Sequence, residues 1–383
     1  MRILHTADWH LGKLFYGTYL TEDQAYVLEK QFLLLLKEEK IDAVVLAGDV
    51  YDRSLPPAEA VELFDEIATK VTADLKLPFF VISGNHDSPA RLSFASRLLA
   101  PQGLYIAGEL ARLTGPVVLE DVAGPVAFVM LPYAEPAEVR HFLGDESIHS
   151  HQTALTGLRD WECRQLPKEM RTICVAHAFA AGGIACDSER PLSIGGTDQV
   201  DSALFAPFAY TALGHLHGPQ KVTAETIRYA GSLLKYSFGE AYQHKGAVIA
   251  DIDAKGKADI SFCEFSPRHD VRIVSGTFED IMAAADDRTD DFIMARLDDT
   301  QPILDGMAKL RRKYPNAMAL EMPHRNTEAR GQRDFNLQQT TEKELFTGFT
   351  EAMRPDQPLT EAEKACVRNL WQRLEKEEGG TLL

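Results

Sequence analysis

Five short groups of residues in this chain could do metal chemistry. They are Asp8 with His10; Asp49 and Asp52 within Gly48-Asp49-Val50-Tyr51-Asp52-Arg53; Gly84-Asn85-His86-Asp87; His177; and Gly214-His215-Leu216-His217. Carboxylate, imidazole and amide oxygen are the donors that suit Mn, Fe and Zn, and an aspartate between two ions can give one oxygen to each. Two ions roughly 3.5–4 Å apart form the clamp that phosphatases and nucleases use. A D-x-H pair alone carries little information. Five such groups in order, each after an apolar run, leave chance as a poor explanation.

The elements that must position these groups are strands. Val44-Val45-Leu46-Ala47 is an apolar run that stops abruptly at Gly48-Asp49, and such a run reads as a buried strand. The carboxylate then sits just past its carboxyl end, where open α/β sheets place their ligands. Residues 2–6, 78–83, 171–176 and 208–213 repeat the arrangement ahead of the other groups. His215 and His217, two apart on an extended segment, point their rings to one side.

Between the strands lie helix signals. Residues 22–40 carry Tyr26, Val27, Phe32, Leu33 and Leu36 on one side, Pro56-Pro57 opens a second helix to about residue 74, and Ser88-Pro89 opens a third to Leu99. This alternation predicts a layered α/β (α+β) architecture. Residues 109–130 read as short strands, and 135–171 as mainly helical or irregular. His149-Ser150-His151 mimics a ligand pair, but no apolar strand precedes it and it reads as solvated surface. Strands at 227–230, 247–252 and 259–265 close a first domain, 1–266.

Residues 267–325 read as β-α-β-α-β, enough for a small second domain. Its second helix carries Lys309, Arg311, Arg312 and Lys313, a solvated basic face or a DNA contact. Residues 326–340 are polar and read as a linker. In 341–383, Thr341 with Glu344 and Thr360 with Glu363 have capping-box spacing ahead of apolar stripes. Two short helices after a linker suit a partner surface, or fold back on their own domain.

Composition sets bounds. The 383 residues carry a net charge of −17, which argues against a broad basic nucleic-acid surface and leaves room for DNA held through divalent cations. Five cysteines without a C-x-x-C indicate reduced thiols rather than a disulfide framework. With no signal peptide and no membrane span in the sequence, the expected location is the cytoplasm, away from membranes.

The ordered motifs D-x-H, G-D-x-x-D-R, G-N-H-D, H and G-H-x-H resemble the calcineurin-like metallophosphoesterases. Three stretches narrow the resemblance to the SbcD nuclease branch: His5-Thr6-Ala7-Asp8-Trp9-His10-Leu11-Gly12, Ser188-Glu189-Arg190-Pro191-Leu192-Ser193-Ile194-Gly195-Gly196, and Ala230 through Phe238. It covers residues 1 to about 325 and continues more loosely beyond. The resemblance implies a β-sandwich flanked by helices, a capping domain, and C-terminal helices that dock on an SbcC-type ATPase. It implies DNA as substrate and two Mn²⁺ ions, one held by Asp8, His10 and His217, the other by Asn85, His177 and His215, with Asp49 bridging. His86 would stabilise or protonate the leaving oxygen, and Asp52 would orient His86. It also implies a homodimer within a heterotetramer, formed through helices that here are 57–74 and 88–99, with Leu63, Phe64, Leu98 and Leu99 as candidates. No DNA-contact residue is identified.

Two rivals share these residues. A phosphatase or cyclic-nucleotide phosphodiesterase would use the same metal core but leave the second domain and tail without work. A non-catalytic metal-binding scaffold would fit a missing ligand, and none is missing.

Overall fold

The structure is a computed structural model; it describes residues 1–164, 166–167, 169–189, 199–323, 360–361, 363–365, 367 and 370–371. In chain order, β1 (Arg2–Thr6), β2 (Ala43–Ala47), β3 (Phe79–Ile82) and β4 (Leu104–Ala107) start a first sheet. The chain then builds a second sheet from β5 (Val117–Asp121), β6 (Gly124–Leu131), β7 (Arg171–His177), β8 (Tyr210–Gly214), β9 (Gln220–Lys221) and β10 (Ile227–Tyr229). It returns to the first sheet with β11 (Gly246–Ile252) and β12 (Ala258–Glu264). The strand orders are β12-β11-β1-β2-β3-β4 and β9-β10-β8-β7-β6-β5.

Strands β1 to β4 are parallel, as are β6, β7, β8 and β10. All five residues of β2 are buried because both faces of its sheet are covered. Ile3, Val45, Phe80, Phe128, Ile173 and Tyr210 fill the space between the sheets, where Phe80 stacks on Phe128 at 3.9 Å. Helical residues 21–38 and 58–74 cover the outer face of the first sheet, each with one π-helical turn, and helix His151–Cys163 covers the second. The result is the expected sandwich flanked by helices.

Two expectations change. Residues 88–99 form two single helical turns, Pro89–Leu92 and Ser96–Leu99, because Ala95 between them adopts φ 57°. Leu63 and Phe64 are buried in the core under the first sheet, so they are not available to a partner, whereas Phe94 and Leu98 are 79% and 78% exposed.

The small domain adds β13 (Val271–Gly276), β14 (Phe292–Leu297) and β15 (Ala317–Glu321), a parallel sheet with helices Phe278–Ala283 and Gly306–Leu310 on its crossovers. Its basic run is partly spent within the domain: Lys313 Nζ donates to the Ile281 carbonyl at 2.6 Å and Arg311 Nε to the Ala317 carbonyl at 3.0 Å. The ion pair Lys235–Asp270 at 2.9 Å and the hydrogen bond from His269 Nδ1 to Asp23 Oδ1 at 2.8 Å tie it to the body. Accordingly Met1–Glu321 is one compact unit, with Met322–Leu383 as a second. In that second unit the Thr360 N–H donates to Glu363 Oε2 at 2.8 Å and the Glu363 N–H to Thr360 Oγ1 at 3.3 Å, the capping box read in the sequence. The expected linker, the Thr341 helix and the stretch 190–196 lie outside the described residues. Among the described residues no helix is long and apolar enough to cross a membrane.

Candidate metal centre

The carboxyl ends of β1, β2, β3, β7 and β8 converge at the junction of the two sheets. Gly48, at φ +88°, closes that junction: a Cβ there would lie 2.3 Å from His177 Nδ1. A Cβ at Gly214 would lie 1.7 Å from the Ala47 carbonyl oxygen, so the ends of β2 and β8 touch only because neither carries a side chain at these points. The loops after the strands cross-brace one another. The Asp8 N–H donates to the Gly48 carbonyl at 3.1 Å and the His10 N–H to the Asp49 carbonyl at 2.9 Å. Buried Asp87 accepts from Gly84, Tyr51 and Val50 N–H at 2.9, 2.9 and 3.1 Å, joining two motif loops.

These braces bring Asp8, His10, Asp49, Asn85, His177, His215 and His217 together. All but Asn85 are buried. Asp8, His10 and His217 offer donor atoms within 4.8 Å of one another, as do Asp8, Asp49 and His177. His10 Nε2 faces His217 Nε2 at 3.1 Å. On the other side His177 Nε2 lies 2.9 Å from Asn85 Oδ1, and His215 Nδ1 lies 3.3 Å from the same oxygen. Between the two groups stands Asp49. Its Oδ2 is 3.5 Å from His10 Nε2 and 3.6 Å from His177 Nε2, while its Oδ1 accepts from the His86 N–H at 2.9 Å.

This donor set fits a pair of divalent cations. Burial pushes the Asp8 carboxyl well above its ordinary range, with the neighbouring Asp49 charge adding to it. Burial also holds His10 and His215 well below the usual imidazole value, with neighbouring histidines adding to it, so both rings are neutral. His177 is lowered by burial too, and its Nδ1–H donates to the Ala47 carbonyl at 3.0 Å, which leaves the Nε2 lone pair facing Asn85 and Asp49. His217 Nδ1 lies 2.8 Å from Ser188 Oγ and 3.5 Å from Glu240 Oε1, so its proton sits there and its Nε2 lone pair faces His10. Imidazole lone pairs and two neighbouring carboxyls thus crowd together in a buried space, where the raised Asp8 carboxyl favours a proton, and divalent cations in place of that proton would resolve the conflict.

Several supporting residues have no signal in motif spacing. Behind His217, the buried pair Glu240–Lys245 is held by Lys245 Nζ donating to the His217 carbonyl at 2.7 Å and to Ser232 Oγ at 2.9 Å. Burial alone would raise the Glu240 carboxyl, but Lys245 and the bond from His217 hold it below the usual range. Glu189 Oε1 accepts from the His217 N–H at 2.8 Å. Under the first loop, buried Gln24 donates to the carbonyls of Trp9 and His10 at 2.9 and 2.8 Å. Ser188 and Glu189 belong to the stretch that carried the branch resemblance; Gln24, Glu240 and Lys245 do not stand out in the sequence at all.

Two sequence readings are corrected here. The Asp52 carboxylate does not hold His86; the Asp52 backbone carbonyl does, accepting from His86 Nδ1 at 2.8 Å. The carboxylate turns instead to Lys13 Nζ at 2.8 Å. Of the surface pair, His149 is exposed as expected, whereas half-buried His151 stacks on Tyr133, whose ring meets His177 edge-on at 6.4 Å. His86 is half-buried, its ring 4.7 Å from that of His10, and a ring nitrogen lies within 4.8 Å of donors on His10 and Asp49.

A family profile described as calcineurin-like phosphoesterase matches residues 1–167, and one described as type 5 capsule protein repressor C-terminal domain matches residues 267–354. The SbcD subunit of the nuclease SbcCD from Staphylococcus epidermidis is 37% identical over 322 residues, which are 84% of this chain and 85% of that protein. Two solved structures overlap more remotely. TT1561 of Thermus thermophilus is 15% identical at a TM-score of 0.38, covering 68% of this chain and 98% of its own. A dimetal phosphatase from Danio rerio is 12% identical at a TM-score of 0.38, covering 70% and 96%.

Proposed function

The chain belongs to the SbcD family of calcineurin-like phosphoesterases, and from that membership we propose that it hydrolyses DNA phosphodiester bonds at a two-Mn²⁺ centre. It is a metal-dependent DNA nuclease that works with an SbcC-type ATPase. The observation that carries the two-ion reading is the position of Asp49 Oδ2, 3.5 and 3.6 Å from imidazole nitrogens of the two ligand groups. Asp8, His10 and His217 would hold one ion, Asn85, His177 and His215 the other, and Asp49 would serve both. Seven N and O donors without a thiolate speak against a structural zinc site and suit Mn²⁺ among other divalent cations, and the choice of Mn²⁺ comes from the family resemblance. When bound, such a pair supplies an activated water at neutral pH and positive charge against the phosphoryl oxygens.

The chain's own residues do the rest. The neutral imidazoles of His10 and His215 offer lone pairs with no proton to displace. His86, whose Nδ1–H donates to the Asp52 carbonyl, has Nε2 left for the departing oxygen, and as the doubly protonated imidazolium it gives that oxygen the Nε2 proton and returns to the neutral ring. Residues 341–383 dock the ATPase. The exposed Phe94 and Leu98 support a homodimer within a heterotetramer, built on a face that excludes Leu63 and Phe64. The cytoplasm is the matching compartment.

The direct test incubates the purified chain with Mn²⁺ and end-labelled single- and double-stranded DNA, beside a nucleoside 2′,3′-cyclic phosphate. DNA should be cut with Mn²⁺ and spared with EDTA. Rapid turnover of the cyclic nucleotide with intact DNA would instead favour the small-phosphodiester reading.

A further inference from the structure

Each imidazole that faces an ion must place its second nitrogen somewhere, and metal-ligating histidines almost always donate that N–H to a carboxylate, carbonyl or water. His177 Nδ1 has the Ala47 carbonyl, at 3.0 Å. His217 Nδ1 has Ser188 and Glu240, at 2.8 and 3.5 Å. His10 is different. Its Nδ1 is buried and, among the described residues, has no hydrogen-bond partner. A buried donor left without a partner in this way is destabilising. A carboxylate stands beside it: Asp52 Oδ1, 3.7 Å away. That same oxygen is paired with Lys13 Nζ at 2.8 Å, and Lys13 in turn lies 5.7 Å from the centre of the Tyr236 ring, which packs edge-on against His10.

We infer that Asp52 is a positioning residue for His10, and through it for the ion held by Asp8, His10 and His217, rather than for His86. Its carboxylate stands 3.7 Å from Nδ1, short of a hydrogen bond in this structure, and closes on the Nδ1–H when the ion draws on Nε2, which fixes the tautomer that leaves Nε2 toward the ion and raises the basicity of that nitrogen. Lys13 anchors the carboxylate so that it does not turn into the site and compete for the ion. His86 needs nothing from this side chain, because the Asp52 main chain already holds it. The two histidines are thus served by two different parts of one residue, and only one of those parts changes on substitution.

The inference rests on the two-ion reading, and the experiment separates the two. Mn²⁺ binding is measured by calorimetry and by electron paramagnetic resonance on the full chain, for the wild type, Asp52→Ala and Asp52→Asn. Cleavage is measured on DNA and on bis-p-nitrophenyl phosphate, whose leaving group departs without a proton. Fewer than two ions on the wild type would remove the two-ion reading itself. With two ions present, the expected result is that Asp52→Ala weakens one of them by roughly 10–100-fold and leaves the other unchanged, which also reports an intact fold. Asp52→Asn, which keeps an acceptor oxygen, should lose less. Both substrates should slow together, and raised Mn²⁺ should restore both. Two unchanged ions with DNA cleavage lost and the activated ester spared would return Asp52 to His86 and overturn the inference. Equal weakening of both ions, or no effect on either ion, would overturn it as well.

Discussion

At the scale of single residues, the centre depends on dividing atoms between tasks. Asp49 gives one oxygen to the His86 N–H and turns the other to both ligand groups. His86 gives its Nδ1–H to the Asp52 carbonyl, and in the proposed reaction its Nε2 serves the substrate. His86→Ala should therefore retain two Mn²⁺ ions and DNA binding while losing typically 10²–10⁴-fold in cleavage, the usual worth of acid help. Anomalous scattering at the Mn edge on crystals of that variant checks it; a missing second peak would make His86 a ligand. That the candidate ligands come together at one place was legible, because Asp, Asn and His after apolar runs are few. Side-chain direction was not legible. The motif announces Asp52, but only the folded loop shows that its carbonyl and its carboxylate serve different neighbours.

At the scale of elements, the strand ends carry strain. Asp8, His10, Asp49 and His215 adopt φ of 50°, 45°, 48° and 110°, in a region that side chains other than glycine rarely enter. Such conformations persist where the surroundings over-determine them, and here the cross-bracing of four loops does so. The sequence showed the strands that precede the motif groups and the two flanking helices, but not the order of strands within either sheet. It hid the break at Ala95, since neither glycine nor proline marks it, and it hid the Glu240–Lys245 pair, because buried charges look like surface charges until their partners are known.

Helix His151–Cys163 carries a further cost. Glu162 is buried, and among the described residues its Oε2 has no hydrogen-bond partner. Burial raises its carboxyl to about 7, with Arg164 opposing. An acid whose folded value is raised binds its proton in the folded state while the unfolded chain has released it. Stability therefore falls as pH rises from the unfolded value near 4.5 through about 7, and stays low above it. The loss is on the order of 3 kcal/mol at most. Glu162→Gln should raise the thermal midpoint at pH 8 and change it little at pH 5. Equal midpoints at pH 8 would mean that Glu162 is paired there.

At the scale of the whole molecule, the nuclease body and small domain form one unit and the last sixty or so residues another. Deleting residues 340–383 should abolish co-purification with an SbcC-type ATPase and leave Mn²⁺-dependent cleavage by the chain largely intact. If the shortened protein unfolds, the tail belongs to its own core. The net charge of −17 bears on the same division. A chain this acidic holds DNA chiefly through its bound cations, so substrate binding by the isolated chain should weaken when Mn²⁺ is removed. The branch-specific stretches and the capping box at Thr360 were readable in sequence; the joining of the small domain to the body was not, since Lys235–Asp270 and His269–Asp23 pair residues far apart in the chain.

The central claim is that two ions share Asp49, and calorimetric titration of Mn²⁺ into the wild type and Asp49→Asn tests it most directly. The wild type should bind two ions. The variant, which loses charge at both positions at once, should bind both more weakly, with its thermal midpoint in EDTA at or above that of the wild type because a buried charge has gone. Two sites of unchanged affinity in Asp49→Asn would contradict the account.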